Sequence, residues 1–153
     1  MRISSRGHYG LRMMVEMAAR HGEGLVRMSV LSEALHTPPG YLHSLLGLLK
    51  GAGLVHARAG MKGGYGLARL PGSIRVSDVL HVLEGVPAPV VCVHDRDQCP
   101  RSGYCATRSV WCDVADAVEK VLERSTLEDL VARERGRTDR AVPCDPGVAT
   151  PPA

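Results

Sequence analysis

The chain has 153 residues, 44% hydrophobic and 23% charged, with no Phe, one Trp, four Tyr and five Cys. That suits one domain with appendages and a core of Leu, Val, Ala and Met, and no run approaches the ~18 to 20 apolar residues of a transmembrane helix. The net charge of +3 is unevenly spread: residues 1–77 carry ten Lys/Arg against three Asp/Glu, residues 78–153 nine against thirteen, which turns the first half toward a polyanion such as nucleic acid.

The opening MRISSRGHYG lacks the apolar stretch of a secretory signal, so a cytoplasmic protein is expected. From Arg6 to about His21, the residues Leu11, Met14, Val15 and Ala18 recur at helical spacing, and Gly22 and Gly24 end the helix. Ser29 is the expected cap of a short second helix, VLSEAL, with Val30, Leu31, Ala34 and Leu35 inward. In TPPGYLHSLLGLLKGAGLV, Thr37 is the expected cap and Pro38 the first helical residue. Leu42, Leu45, Leu46 and Leu49 form its apolar stripe, leaving Gly40, Tyr41, His43, Ser44, Gly47 and Lys50 outside. LVHAR (54–58) and GYGLAR (64–69) then read as strands about the turn AGMKG. Three helices followed by a hairpin is the order of a winged helix-turn-helix.

VSDVLHVLEG (76–85) reads as another helix, capped by Ser77, and VPAPVV as a stiff lead-in to the cysteines. A longer helix from Ala106 to Glu123 aligns Trp111, Val114, Val118, Val121 and Leu122, a stripe suited to a second subunit or to the core. STLEDL begins with a capping box, Ser125 and Glu128. From Gly136 the chain is rich in Pro, Gly and Arg and has little to bury. The expected fold is mainly α with a small β-hairpin wing. Residues 1–75 form the winged helix-turn-helix and 76–105 a short helix and cysteine-rich loop. Residues 106–134 form the dimerisation and terminal helices, and 135–153 a disordered tail.

Ser29, Thr37, Gly40, Tyr41, His43 and Ser44 lie where a helix entering a major groove needs short or polar side chains. Arg58 and Lys62, on or beside the hairpin, suit phosphates or a minor groove. No nucleophile–base pair or phosphate loop is readable, so an enzyme is not expected.

CVHDRDQCPRSGYC (92–105) spaces its cysteines C-x6-C-x5-C, with Cys112 seven residues on and Cys144 near the end. An odd number of cysteines without an export signal argues against a disulfide framework. The tight C-x2-4-C knuckle of structural zinc is absent, as is a C-x-x-C redox pair. Iron–sulfur clusters accept wider loops, because their ligands attach to different irons. Spacing leaves an iron–sulfur cluster, zinc and a thiol switch open.

MRISSRGHYGLRMMVEMA, PPGYLHSLLGLLKGAGLV, RAGMKGGYGLARLP, VSDVLHVLEG, the three cysteines and STLEDLV together resemble the Rrf-type family of winged-helix iron–sulfur transcription regulators, from Met1 to about Glu134. The resemblance implies a homodimer crossed by the long helix, double-stranded DNA with a palindromic operator, and a two-iron or four-iron cluster held by Cys92, Cys99 and Cys105. Some members place a His ligand three residues after the last cysteine, where this chain has Arg108, which cannot ligate. Others use a carboxylate near the N-terminus, contributed by the partner subunit. The matching residue here is His8, the first choice for the fourth ligand, and Cys112 is the alternative. His43 and Ser44 stand where relatives carry Glu then Gln, and Ala59 where the wing usually carries Arg, so the operator sequence does not transfer.

Overall fold

Ser4 starts the first helix: its hydroxyl accepts from the backbone N–H of Arg6 (3.1 Å) and Gly7 (3.4 Å), satisfying donors that have no partner within the helix. The computed structural model describes residues 3–86 and 88–136. In it, α1 spans Ser5–Ala19 and buries Met13, Met14, Val15, Met17 and Ala18, a wider face than one apolar stripe, because other elements pack on more than one side of it.

Then follow α2 (Met28–Leu35), α3 (Pro39–Gly51), β1 (Val55–Arg58), β2 (Gly64–Leu67), α4 (Val76–Glu84), α5 (Val91–His94), α6 (Ala106–Arg124) and α7 (Leu127–Arg135). The strands pair antiparallel, with Val55 opposite Leu67 and Arg58 opposite Gly64. This is the expected mainly helical winged helix-turn-helix. The leucine stripe of α3 is buried as its spacing requires, with Leu42, Leu45, Leu46 and Leu49 at 0–1% exposure.

Several helix starts lie one or two residues from their expected places. Arg27, not Ser29, precedes α2, so Ser29 sits inside the helix on its exposed side. Ala34 is exposed rather than inward, and Leu31 and Leu35 carry the burial. Thr37 does not cap α3, which starts at Pro39 after Pro38. Its hydroxyl instead donates to the Leu35 carbonyl (2.9 Å), and the residue is buried in the turn. His36 makes that turn in the left-handed region (φ 48°), an uncommon place for a residue other than glycine. Ser77 is buried within α4. The helix start is satisfied by Asp78, whose carboxylate accepts from the Arg75 N–H (3.1 Å). The last capping box also moves on by one residue, to Thr126 and Asp129. At α4 and α7 the side chain three positions along, Asp78 and Asp129, reaches back to the N-cap backbone N–H, whereas α2 and α3 start without a side-chain cap.

α4 lies against α1 at Gly7 and Gly10. A Cβ on Gly10 would overlap Leu83, which is itself buried, so glycine lets the two backbones approach. At the end of α4, the Glu84 carboxylate accepts from the Gly7 N–H (2.8 Å) and from the Ser4 hydroxyl. The Ser4 hydroxyl, opposed by partial desolvation and helped by backbone N–H groups, holds the Glu84 carboxyl below its ordinary pKa. A lowered carboxyl pKa contributes stability above its ordinary range and loses it as pH falls through the folded value. Glu84→Gln should therefore lower stability at and above neutrality, read as the urea midpoint at each pH, and approach wild type toward acid pH, so that the acid limb is flatter.

α7 returns to the same core. Leu127 and Val131 are buried with α1, and the backbone of 125–127 bonds to Ile74 and Val76 (Leu127 N to Ile74 O, 3.0 Å; Val76 N to Ser125 O, 2.8 Å). α6 differs, because none of its residues is buried. Trp111 is 40% exposed, Val114 39% and Val121 52%, so most of the stripe read from the sequence faces outward, while Val118 and Leu122 are half-buried. α6 is tied to α4 by His81 Nε2 and Glu119 Oε2 at 3.0 Å. Among the described residues no helix is long and apolar enough to cross a membrane. Residues 137–153, including Cys144 and nearly all of the expected tail, lie outside the described residues.

Candidate nucleic-acid interface and cysteine segment

The face of α3 opposite its leucines carries exposed Gly40, His43, Ser44, Gly47 and Lys50. Tyr41 is half-buried, its ring edge-on to Tyr9 at 6.2 Å, so it supports the helix as much as it faces outward. The Ser44 hydroxyl donates back to the Tyr41 carbonyl (2.7 Å). Thr37 is buried behind this face, which removes its side chain from the exposed set.

Arg58 ends β1 and Lys62 lies in the turn beyond it, both exposed. Two cations not expected there from the sequence join them. Arg27, just before α2, reaches the Met61 carbonyl of the wing turn (3.5 Å), and Lys50 closes the far end of α3. Arg27, Lys50 and Arg58 line a cleft of about 580 Å³ between the helices and the wing, and no carboxylate lines it. Net positive potential in a groove beside an exposed helix favours a phosphate backbone. The signal for Arg27 and Lys50 was present as charge in the basic half, but their convergence depends on the hairpin folding back over α2.

The cysteine segment runs along the other end of α4. Cys92 is the second residue of α5, Cys99 follows a single 3-10 turn (96–98), and Cys105 caps α6. All three are free and half-exposed, as is Cys112 two turns along α6. Arg108 turns back from α6 and donates through Nε to the Cys92 carbonyl (2.8 Å), so the first and third cysteines are stitched together by one side chain. Cys105 Sγ lies 3.1 Å from the Thr107 hydroxyl. That contact, with the Arg108 and Thr107 backbone N–H groups and the Arg101 charge, holds the Cys105 thiol below its usual pKa.

The donors fit a soft-metal cluster chemically: free thiols on short loops, one biased toward thiolate, with Arg101 and Arg108 near it. They are not gathered about one centre within a chain, since no three His, Cys, Asp or Glu side chains among the described residues stand close enough to hold a metal ion. His8 is exposed in the first turn of α1, its ring edge-on to Tyr9 (5.3 Å), and is not brought to the cysteines. Cys112 is not brought there either.

The family described as Rrf2, iron-dependent transcriptional regulator, matches residues 3–133. The transcriptional regulator CymR of Bacillus subtilis is 37% identical over 91% of this chain and 96% of its own length. The solved structure of CymR, the global cysteine regulator of B. subtilis, superposes with a TM-score of 0.74, covering 87% of this chain and 98% of that one. IscR of T. potens also superposes with a TM-score of 0.74 at 32% identity, covering 92% of this chain and 94% of that one.

Proposed function

The chain belongs to the Rrf2 family of transcriptional regulators, and from that footing we propose a cytoplasmic homodimer that binds a palindromic operator and whose DNA affinity is set by an iron–sulfur cluster. The observation that carries the cluster reading is the set Cys92, Cys99 and Cys105, three free thiols on consecutive short elements, with Arg108 of α6 tied to the Cys92 carbonyl. Those residues would hold the cluster, with His8 of the partner subunit as the proposed fourth ligand and Cys112 as the alternative. A bound cluster supplies a centre whose ligation and charge respond to iron supply, nitric oxide or redox state.

The chain's own residues make the coupling. Cys105 caps α6, α6 is held to α4 through His81 and Glu119, and α4 packs against both α1 and α3. A change in the Cys92–Cys105 segment therefore bears on the helix that carries His43, shifting the dimer between binding and non-binding populations. On the DNA side, Gly40, His43 and Ser44 face base edges, Arg58 and Lys62 face the backbone, and the cleft cations Arg27 and Lys50 add to them. Ser29, exposed on α2, is proposed to join them.

The wing assignment is tested by salt. Arg58→Ala with Lys62→Ala should weaken binding to all duplexes alike. The slope of log affinity against log salt should be shallower by about two, one for each phosphate that is no longer neutralised. An unchanged slope in fluorescence anisotropy titrations would remove both residues from the interface.

A second reading keeps the DNA-binding module and makes the cysteines a thiol or zinc switch without a cluster. It is favoured by the separation of the ligands within one chain and by the Cys105–Thr107 contact. Visible absorption of anaerobically purified protein, with iron, sulfide and zinc assays on the same sample, separates the two. Colourless protein with stoichiometric zinc selects the second.

A further inference from the structure

We propose that His43 reads an acceptor on a base edge, that of guanine, through its Nε2–H, and that Tyr65 is the positioning residue that sets this tautomer; the inference rests on the DNA-binding reading above. His43 and Tyr65 lie 22 positions apart in the chain, on the exposed face of α3 and on β2. The structure brings His43 Nδ1 to 3.1 Å from the Tyr65 hydroxyl, with the rings edge-on at 6.5 Å and 78°.

Tyr65 presents its phenol from a fixed backbone. On one side it opposes Ala57 in the hairpin. On the other its N–H donates to the Val26 carbonyl (2.9 Å), and its own carbonyl accepts from the Val26 N–H (2.8 Å). Backbone pairing at both edges of the strand fixes the point from which the phenol reaches the imidazole.

A neutral imidazole has one N–H and one lone pair, on different nitrogens. A phenol, with its pKa of about 10, is a better acid than a neutral imidazole N–H, and the imidazole lone pair is a better base than a phenol oxygen. The contact therefore runs from the Tyr65 O–H to Nδ1, which leaves the proton on Nε2. The far edge of the ring is then a donor only. In the major groove, guanine offers two adjacent acceptors, O6 and N7, adenine N7 and thymine O4 offer one each, and cytosine presents only its N4 donor, so a lone N–H favours guanine most and is refused by cytosine. Ser44, the next residue, has its hydroxyl proton committed to the Tyr41 carbonyl, so His43 carries the directional donor of this turn.

The test uses the full-length protein. Duplexes selected from a random pool define the operator, and variants at each base pair are then titrated against wild type, Tyr65→Phe and His43→Ala. One pair in each half-site should prefer guanine about 5- to 10-fold over cytosine, the size of one directional hydrogen bond, and by less over adenine and thymine, which keep one acceptor each. In both variants that preference should fall below about 2-fold, with the salt slope unchanged, because a merely structural role for Tyr65 would not act on one base pair. In parallel, the imidazole 15N spectrum of unbound wild type should show Nδ1 bare and Nε2 protonated. A protonated Nδ1 overturns the proposal without any DNA or variant. Guanine preference that survives in Tyr65→Phe also overturns it, as does a preference for cytosine, which offers only a donor, at the position His43 reads. No enriched sequence at all would sink the DNA-binding reading and the base contact with it, while the spectrum still reports the tautomer.

Discussion

Cys99→Ala, purified without oxygen, is expected to lose iron and sulfide by roughly 10-fold or more relative to wild type, and its visible absorption with them. Cys92 and Cys105 are stitched together through Arg108, whereas Cys99 reaches any shared centre from a short turn of its own. Removing Cys99 should therefore leave the segment folded but one ligand short, so the circular dichroism should match wild type. His8→Ala should also lower cluster content, because its ligand comes from outside the segment, and Cys112→Ala should not. The reverse pattern moves the fourth ligand to Cys112. Cluster content unchanged in Cys99→Ala would end the three-cysteine assignment. Operator affinity measured on the same samples, before and after cluster loss, then gives the direction of control.

The second large effect lies on α6. Trp111→Glu with Val121→Glu is expected to convert a dimer into a monomer at micromolar concentration and to weaken palindromic operator binding about 100-fold, since the second half-site is no longer engaged within one molecule. Trp111, Val114, Val118 and Val121 recur at alternating steps of three and four, the seam of a paired helix. Among the described residues nothing buries that seam: Trp111, Val114 and Val121 are exposed and Val118 is half-buried. So long an apolar row stays outward when something else covers it. Sedimentation velocity decides the first half of this expectation and anisotropy the second. A variant that stays dimeric would place the interface elsewhere. Neither residue belongs to the buried core of Met13, Leu42 and Leu127, so loss of folding is not the expected cause.

Much of this was legible in the residues. The leucines of α3 repeat so regularly that only one face can go inward, and that face is the one buried. The hairpin followed from two short apolar runs about a Gly-rich turn. Caps were less legible, because Ser29, Ser77 and Ser125 are good capping residues by type, yet Arg27, Arg75 and Thr126 hold the positions. Capping residues recur along a sequence, and which one is used depends on where the preceding turn releases the chain. Thr37 went astray for the same reason: its hydroxyl found the Leu35 carbonyl first.

Local periodicity and composition, which act over a few residues, were enough to determine the longer helices (though not the single turn of α5), the wing, the basic first half and the three thiols of the cysteine segment. What brings distant residues together was left to the tertiary structure. It folded the hairpin back so that Arg58 meets Arg27 and Lys50, returned α7 to α1, left α6 uncovered, and set Tyr65 against His43. These outcomes depend on backbone paths between elements, on the glycine-permitted approach of α4 to α1 and on the bridge between Val26 and Tyr65. No short stretch of sequence contains both partners of any of them.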